Sequence, residues 1–197
     1  MRGSISFFMI FIFSILTISC SNSLDSNSQT IDKQEKVNQV AKADITIDDK
    51  TQIKLNLEGW NYSTKREDMP PEAQKVADMV SDYGGELILF GLSPNGTSGV
   101  RIIAEPVDME TTEYFETIRD VNKPSLIESS EGKNTTFGNI KGIVWNYSGN
   151  KKNTTFKYLE CITKKDKYNL RITMWTTNEL FDKNEADFNK VIKSIEL

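Results

Sequence analysis

The 197-residue chain contains no histidine, so any catalysis it performs must be built from serine, lysine, cysteine or paired carboxylates. That excludes an imidazole-activated serine or cysteine and any imidazole metal ligand. Serine–lysine chemistry needs no histidine, and two S-x-x-K spacings occur, Ser130-Glu-Gly-Lys133 and Ser148-Gly-Asn-Lys151. Enzymes that use this spacing combine it with S-D-N and K-T-G elements. Neither element is present, and both matches lie in glycine-bearing stretches that read as turns. Two carboxylates about 5–10 Å apart across a cleft would suit glycoside hydrolysis. The 28 acidic residues include many candidates, but Glu72, Glu110, Glu113, Asp182 and Glu185 fall at expected helix starts or on solvent faces, where they complement the helix dipole. Phosphate-loop, dinucleotide, nucleophile-elbow and EF-hand spacings do not occur, and a zinc site would have only thiols and carboxylates to draw on. The expectation is a non-enzyme with no catalytic residue, no metal and no cofactor.

The two cysteines have different settings. Cys20 follows Arg2 and the apolar run Ile5-Ser-Phe-Phe-Met-Ile-Phe-Ile-Phe-Ser-Ile-Leu-Thr-Ile18. The run is shorter than the roughly 18 residues of a membrane span but suits the apolar core of a secretory leader. Leu16-Thr-Ile-Ser-Cys20 resembles a bacterial lipoprotein signal, which would make residues 1–19 a leader and Cys20 the lipidated first residue of the mature protein. Multiple acyl chains of the palmitate type, at about 0.8 kcal/mol per buried CH₂, suffice for stable anchoring. Thr17 and Ser19 also satisfy the small-x-small rule of ordinary signal peptidase, which would release a soluble protein beginning at Cys20. Under that alternative Cys20 is available to pair with Cys161; under lipidation Cys161 has no partner and reads as a small buried hydrophobe.

Loss of the leader removes one basic residue, Arg2, and no acid, taking the net charge from −4 to −5. A nucleic-acid partner is not expected, because such binding rests on clustered Lys and Arg. Residues 20–50, rich in Ser, Asn and charge, offer too little apolar surface to offset ordering and read as a flexible tether. Residues 51–197 are long enough for one domain with a true core.

Within that domain, Ile53-Lys-Leu-Asn-Leu57 alternates with period two and predicts a half-buried strand ending at Gly59-Trp60. Pro70-Pro71-Glu72 opens a helix with Ala73, Val76, Ala77, Val80 and Tyr83 on one face and Gly84-Gly85 closing it. Strands follow at 86–92, expected to be central because Leu87 to Phe90 is apolar on both faces, and at 100–104. A second helix follows Asp108 and Glu110, with Tyr114, Phe115, Ile118 and Val121 inward, and ends before Pro124. Three β-segments at about 138–148, 153–163 and 168–177, joined by short polar turns, predict an antiparallel meander. Asp182-x-x-Glu185 resembles a capping box opening a last helix, with Phe188, Val191, Ile192 and Ile195 as its apolar stripe. The sum is an α+β fold, an antiparallel β-sheet flanked by helices in an α/β/α sandwich. Lys151-Lys152 and Lys164-Lys165-Lys167 lie at opposite ends of one strand, roughly 35 Å apart at about 3.3 Å per residue, and cannot form one patch.

Aromatic residues supply the binding candidates. On strand 170–177, Leu170, Ile172 and Met174 share one face, which puts Arg171, Thr173 and Trp175 on the other. If that face is open, Trp175 and Arg171 are the residues to meet a partner, since Trp and Arg are enriched at binding hot spots. If a helix covers it, they are core.

The element order over 51–197 resembles the PsbP-like superfamily, which includes small bacterial lipoproteins. The resemblance is carried by Gly59-Trp60, Thr111-Thr-Glu-Tyr-Phe-Glu-Thr-Ile118, Ile140-Lys-Gly-Ile-Val-Trp145, Tyr168-Asn-Leu-Arg-Ile-Thr173 and Phe188-Asn-Lys-Val-Ile-Lys-Ser-Ile195. It implies a non-catalytic domain that docks on, stabilises or helps assemble other envelope components. The expected protein is thus a lipid-anchored binding or assembly domain in the bacterial cell envelope, at the outer membrane or facing the periplasm, touching the membrane through its anchor and an envelope protein through its domain. An envelope hydrolase with a carboxylate pair and a carrier of small apolar ligands are the alternatives.

Overall fold

The computed structural model of the protein describes residues 42–137 and 140–197. Cys20, the leader and nearly all of the expected tether lie outside the described residues. The long strands form where apolar and β-branched residues recur without helix formers: β8 (Ile140–Lys151), β9 (Thr154–Lys165) and β10 (Tyr168–Thr177). They are the expected meander, with antiparallel registers Val144↔Cys161 and Ile172↔Cys161. Its tight connections place Lys152 and Asp166 at φ 52° and 53°. β10 pairs on its other side with β5 (Ser98–Glu105), β5 with β4 (Glu86–Leu92), and β4 with the three-residue β3 (Asn61–Ser63). β6 (Leu126–Ser129) and β7 (Lys133–Phe137) run in tandem along the outer edge of β8. The order is β3-β4-β5-β10-β9-β8 with that broken edge strand beyond.

Both faces of the sheet are covered. On one lie α1 (Pro71–Ser81) and α2 (Thr111–Asn122), which insert Ala73, Val76, Val80, Tyr114, Phe115 and Ile118. On the other lie α3 (Asn178–Lys193) and a hairpin of β1 (Ala43–Thr46) and β2 (Gln52–Leu55), which insert Ile45, Ile53, Leu55, Phe181, Phe188 and Val191. This is the expected α+β sandwich, and it holds two separate cores.

Four expectations need correction. The segment 43–46 belongs to the folded domain and not to the 20–50 connector, because Ala43 and Ile45 are buried against the core and pair with β2. β4 is buried on both faces as expected, yet it lies next to the edge strand β3. α3 starts at Asn178 with Thr177 at its N-cap, so Asp182 and Glu185 lie inside the helix and do not cap it. Phe181 explains the earlier start: it is buried, and packs edge-on against Phe188. Tyr83 is 44% exposed, since α1 ends at Asp82 and the helical period no longer directs it. Gly84, at φ 78°, closes that helix by donating its N–H to Ser81, the left-handed stop that glycine permits.

Candidate functional site

The α1/α2 face of the sheet carries charges where an apolar layer would be simplest. Register aligns Arg101, Thr173, Glu160 and Trp145 in one row across β5, β10, β9 and β8. The flanking rows place Ile103, Arg171, Ile162 and Ile143 on one side and Gly99, Trp175, Tyr158 and Tyr147 on the other. The Arg171 Nε donates to Glu160 Oε1 at 2.6 Å, and the Thr173 hydroxyl donates to the same oxygen at 3.3 Å. The Tyr147 hydroxyl donates to Glu160 Oε2 at 2.9 Å. Tyr147 stacks on Tyr158 with ring centroids 4.7 Å apart, and Trp145 meets Phe115 edge-on at 5.7 Å.

Glu160 is fully buried, which opposes ionisation, but the Arg171 charge and hydrogen bond, with Arg101 and Tyr147, outweigh burial and hold its carboxyl below the usual range. Burial also acts against the Arg171 charge, and Glu160 and Glu105 reverse it, so the guanidinium is held more firmly protonated. Burial pushes Glu105 upward; Arg171 opposes that shift and Glu160 reinforces it. Glu105 accepts a hydrogen bond from the Tyr114 hydroxyl. Burial likewise raises the Tyr147 and Tyr158 hydroxyls.

Trp175 and Arg171 do sit together on the predicted face, and that face is covered. Trp175 is 7% exposed, with Phe90 at 5.8 Å between ring centroids, and Arg171 is 9% exposed and paired with Glu160. Both side chains are therefore buried and not on an open sheet face. Among the described residues no hydrogen bond joins Ser130 to Lys133 or Ser148 to Lys151: the Ser130 hydroxyl accepts from the Asn146 N–H and donates to the Glu131 carbonyl, while Ser148 is buried on β8. Asp108 and Glu110, expected as dipole partners of α2, both bind Lys164 Nζ, at 3.4 and 3.1 Å, and so tie the start of that helix to β9.

Two open grooves lie elsewhere. One, about 470 Å³, runs between the end of β2, the β4–β5 turn and α3, and is walled by Trp60 with Asn56, Glu58, Asn95, Asn184 and Asp187. Trp60 is half-buried and packs on the α3-side core. The second, about 410 Å³, brings Glu128, Asp182, Glu185 and Lys157 together beside Ser130 and Phe181. Among the described residues, no group of three acidic or cysteine side chains could hold a metal ion, and no helix is long and apolar enough to cross a membrane.

Sequence reasoning missed Arg101, Glu105, Glu160 and Trp60. A signal existed for two of them: Val100-Arg-Ile-Ile and Leu159-Glu-Cys-Ile each set one charge inside an apolar strand, as Leu170-Arg-Ile does for Arg171. Buried charges need partners, so opposite signs on neighbouring strands of a meander already suggest a buried pair.

No protein-family model matches the chain, and no curated protein matches it significantly. Comparison with solved structures identifies the architecture. The solution structure of cyanobacterial PsbP (CyanoP) from Synechocystis sp. PCC 6803 matches with a TM-score of 0.54 at 12% identity, over 82% of this chain and 95% of that one. The crystal structure of LpqN, involved in cell envelope biogenesis in Mycobacterium tuberculosis, matches with a TM-score of 0.53 at 9% identity, over 78% of this chain and 88% of that one. At such identities the likeness is one of fold, and the fold is PsbP-like.

Proposed function

We propose that the protein is a lipid-anchored module of the bacterial cell envelope that acts by binding an envelope component and not by catalysis. The observation that carries this reading is the Trp60 groove. It joins an aromatic wall to amide and carboxylate groups on three separate segments, at a volume within the range of ligand sites, about 300–1,000 Å³. The internal Arg171–Glu160–Tyr147 network, by contrast, is closed on itself and holds the sheet together. Anchoring rests on Leu16–Cys20 behind the apolar run. A PsbP-like fold shared with an envelope-biogenesis protein is consistent with assembly or docking work.

A photoreactive residue at position 95, on the groove rim, should give crosslinks to an envelope component in intact cells, and Trp60→Ala should reduce them at least tenfold. Crosslinks unchanged by Trp60→Ala would refute the groove as the binding site. Turnover of a glycan or peptide by the purified protein would refute the non-catalytic reading.

A further inference from the structure

The buried network contains a cation that favours the ionised form of Glu160 without forming, among the described residues, an ion pair of its own. Arg101 is 8% exposed, and its Nε is sealed from solvent with no hydrogen-bond partner. Among the described residues, no carboxylate lies within ion-pair distance of it. The Glu160 oxygens are engaged by Arg171, Thr173 and Tyr147. Glu105 accepts from Tyr114 and is the acid that burial disfavours as an anion. What the guanidinium has is the face of Trp175, 5.9 Å from the ring centroid. A cation–π contact offsets only part of the cost of taking a cation out of water. An unpaired buried donor of this kind calls for a physical explanation.

The setting supplies one. Among the atoms of the Arg101 guanidinium only Nε is both sealed and unpartnered, so the terminal nitrogens, which make no hydrogen bond among the described residues, are not fully sealed. α1 packs on β4, and α2 packs on β8 and β9. Arg101 and Trp175, on β5 and β10, therefore lie beneath the interval between the two helices. Trp175 can lie flat there because Gly99 has no side chain: a Cβ at that position would sit 2.0 Å from the ring. The result is a guanidinium fork backed by an aromatic face, with Tyr158 in the neighbouring row. Arg presents paired donors whose spacing matches the two oxygens of a carboxylate or phosphate.

We propose that Arg101, backed by Trp175 in the interval between α1 and α2, is a binding site for an oxyanion, the carboxylate or phosphate group of a small ligand. The site lies on the opposite side of the sheet from the Trp60 groove, and the inference stands independently of the function proposed above.

The test uses the full-length protein, titrated with inorganic phosphate and separately with acetate at constant ionic strength balanced by chloride. Two signals are read: tryptophan fluorescence, and the Nε–H resonance of Arg101 in ¹⁵N-arginine-labelled protein. The expected result is a saturable shift of that resonance with a matching change in fluorescence. Arg101→Met should weaken binding at least tenfold, and Arg101→Lys, which keeps the charge but loses the fork, several-fold. Arg119→Met, a half-exposed arginine on α2, should leave binding unchanged. Stronger response to phosphate than to acetate identifies a phosphate group, and the reverse a carboxylate; both support the site. A wild-type resonance indifferent to both anions would overturn the proposal, and so would equal responses from Arg101→Met and wild type. The resonance measurement needs no variant, so it decides the matter even if Arg101→Met fails to fold.

Discussion

Removing the Glu160 charge while leaving Arg171 in place should be the most damaging single polar change in the domain. Glu160 is fully buried, and its 2.6 Å bond to Arg171 Nε is the only ion pair of that guanidinium among the described residues. Glu160→Gln keeps the volume but strands a buried cation, a change that costs about 3–5 kcal/mol. With a urea slope of about 2 kcal/mol/M for a domain of this size, the midpoint should fall by about 1.5–2.5 M. The companion variant, Glu160→Gln with Arg171→Met, removes both charges and keeps an amide oxygen as acceptor for the Tyr147 or Thr173 hydroxyl, leaving one of the two unpaired at a loss of about 1–3 kcal/mol. It should therefore unfold at higher urea than Glu160→Gln alone, an ordering that depends on the two residues acting as one unit. Equilibrium urea unfolding followed by far-UV circular dichroism measures both. A single variant within about 0.5 kcal/mol of wild type, or a double variant less stable than the single, would refute the reading of this pair.

Other consequences follow from the same geometry. The depressed Glu160 carboxyl contributes stability that is present above its unfolded value, about 4.3, and is lost as pH falls through the lower folded value. Wild-type stability should accordingly drop more steeply below that point than the stability of Glu160→Gln, as read from urea midpoints across acid pH. Glu105 has the opposite sign: its protonated form is favoured in the folded state, and that contribution fades as pH rises through the raised folded value. Glu105→Gln should thus be neutral or stabilising at pH 7 and without effect near pH 4, in the same assay. Cys161 is buried and its thiol is pushed up by burial and then by Glu160, so a thiol reagent should modify it only in denaturant; rapid modification of native protein would contradict its place in the core. Gly99→Ala forces a methyl into the Trp175 ring and should cost about 1–3 kcal/mol, with a change in near-UV circular dichroism that a surface glycine such as Gly96 would not produce.

Much of this fold is legible in the sequence because its periodicities are strong. The meander from β8 to β10 and the apolar faces of α1 and α2 were expected at nearly their observed bounds, since alternation or a 3.6-residue stripe decides direction when one face must be buried. The elements that escaped are short or irregular. β3, β6 and β7 run three to five residues; the partners of β3 and β6 lie some way along the chain, and β7, though it pairs with the next strand, is polar except at Phe137, so no local pattern marks them. β1 looks like connector by composition and becomes a strand only because β2 and α3 give Ala43 and Ile45 something to pack on. The candidate residues failed for a different reason. Alternation put Trp175 and Arg171 on one face correctly, but which face a helix covers is a tertiary fact. That Arg171 would find Glu160 two register positions away depended on pairing that strand sequences alone do not fix.

The proposed function is that of a folded binding module held at a membrane by its first mature residue. Mass spectrometry of the N-terminal peptide, from protein expressed in a bacterial host and partitioned between detergent and aqueous phases, tests it most directly. The expected result is a peptide beginning at an acylated Cys20, protein in the detergent phase, and loss of both in Cys20→Ala. An unmodified Cys20 thiol on protein that stays in the aqueous phase would contradict it.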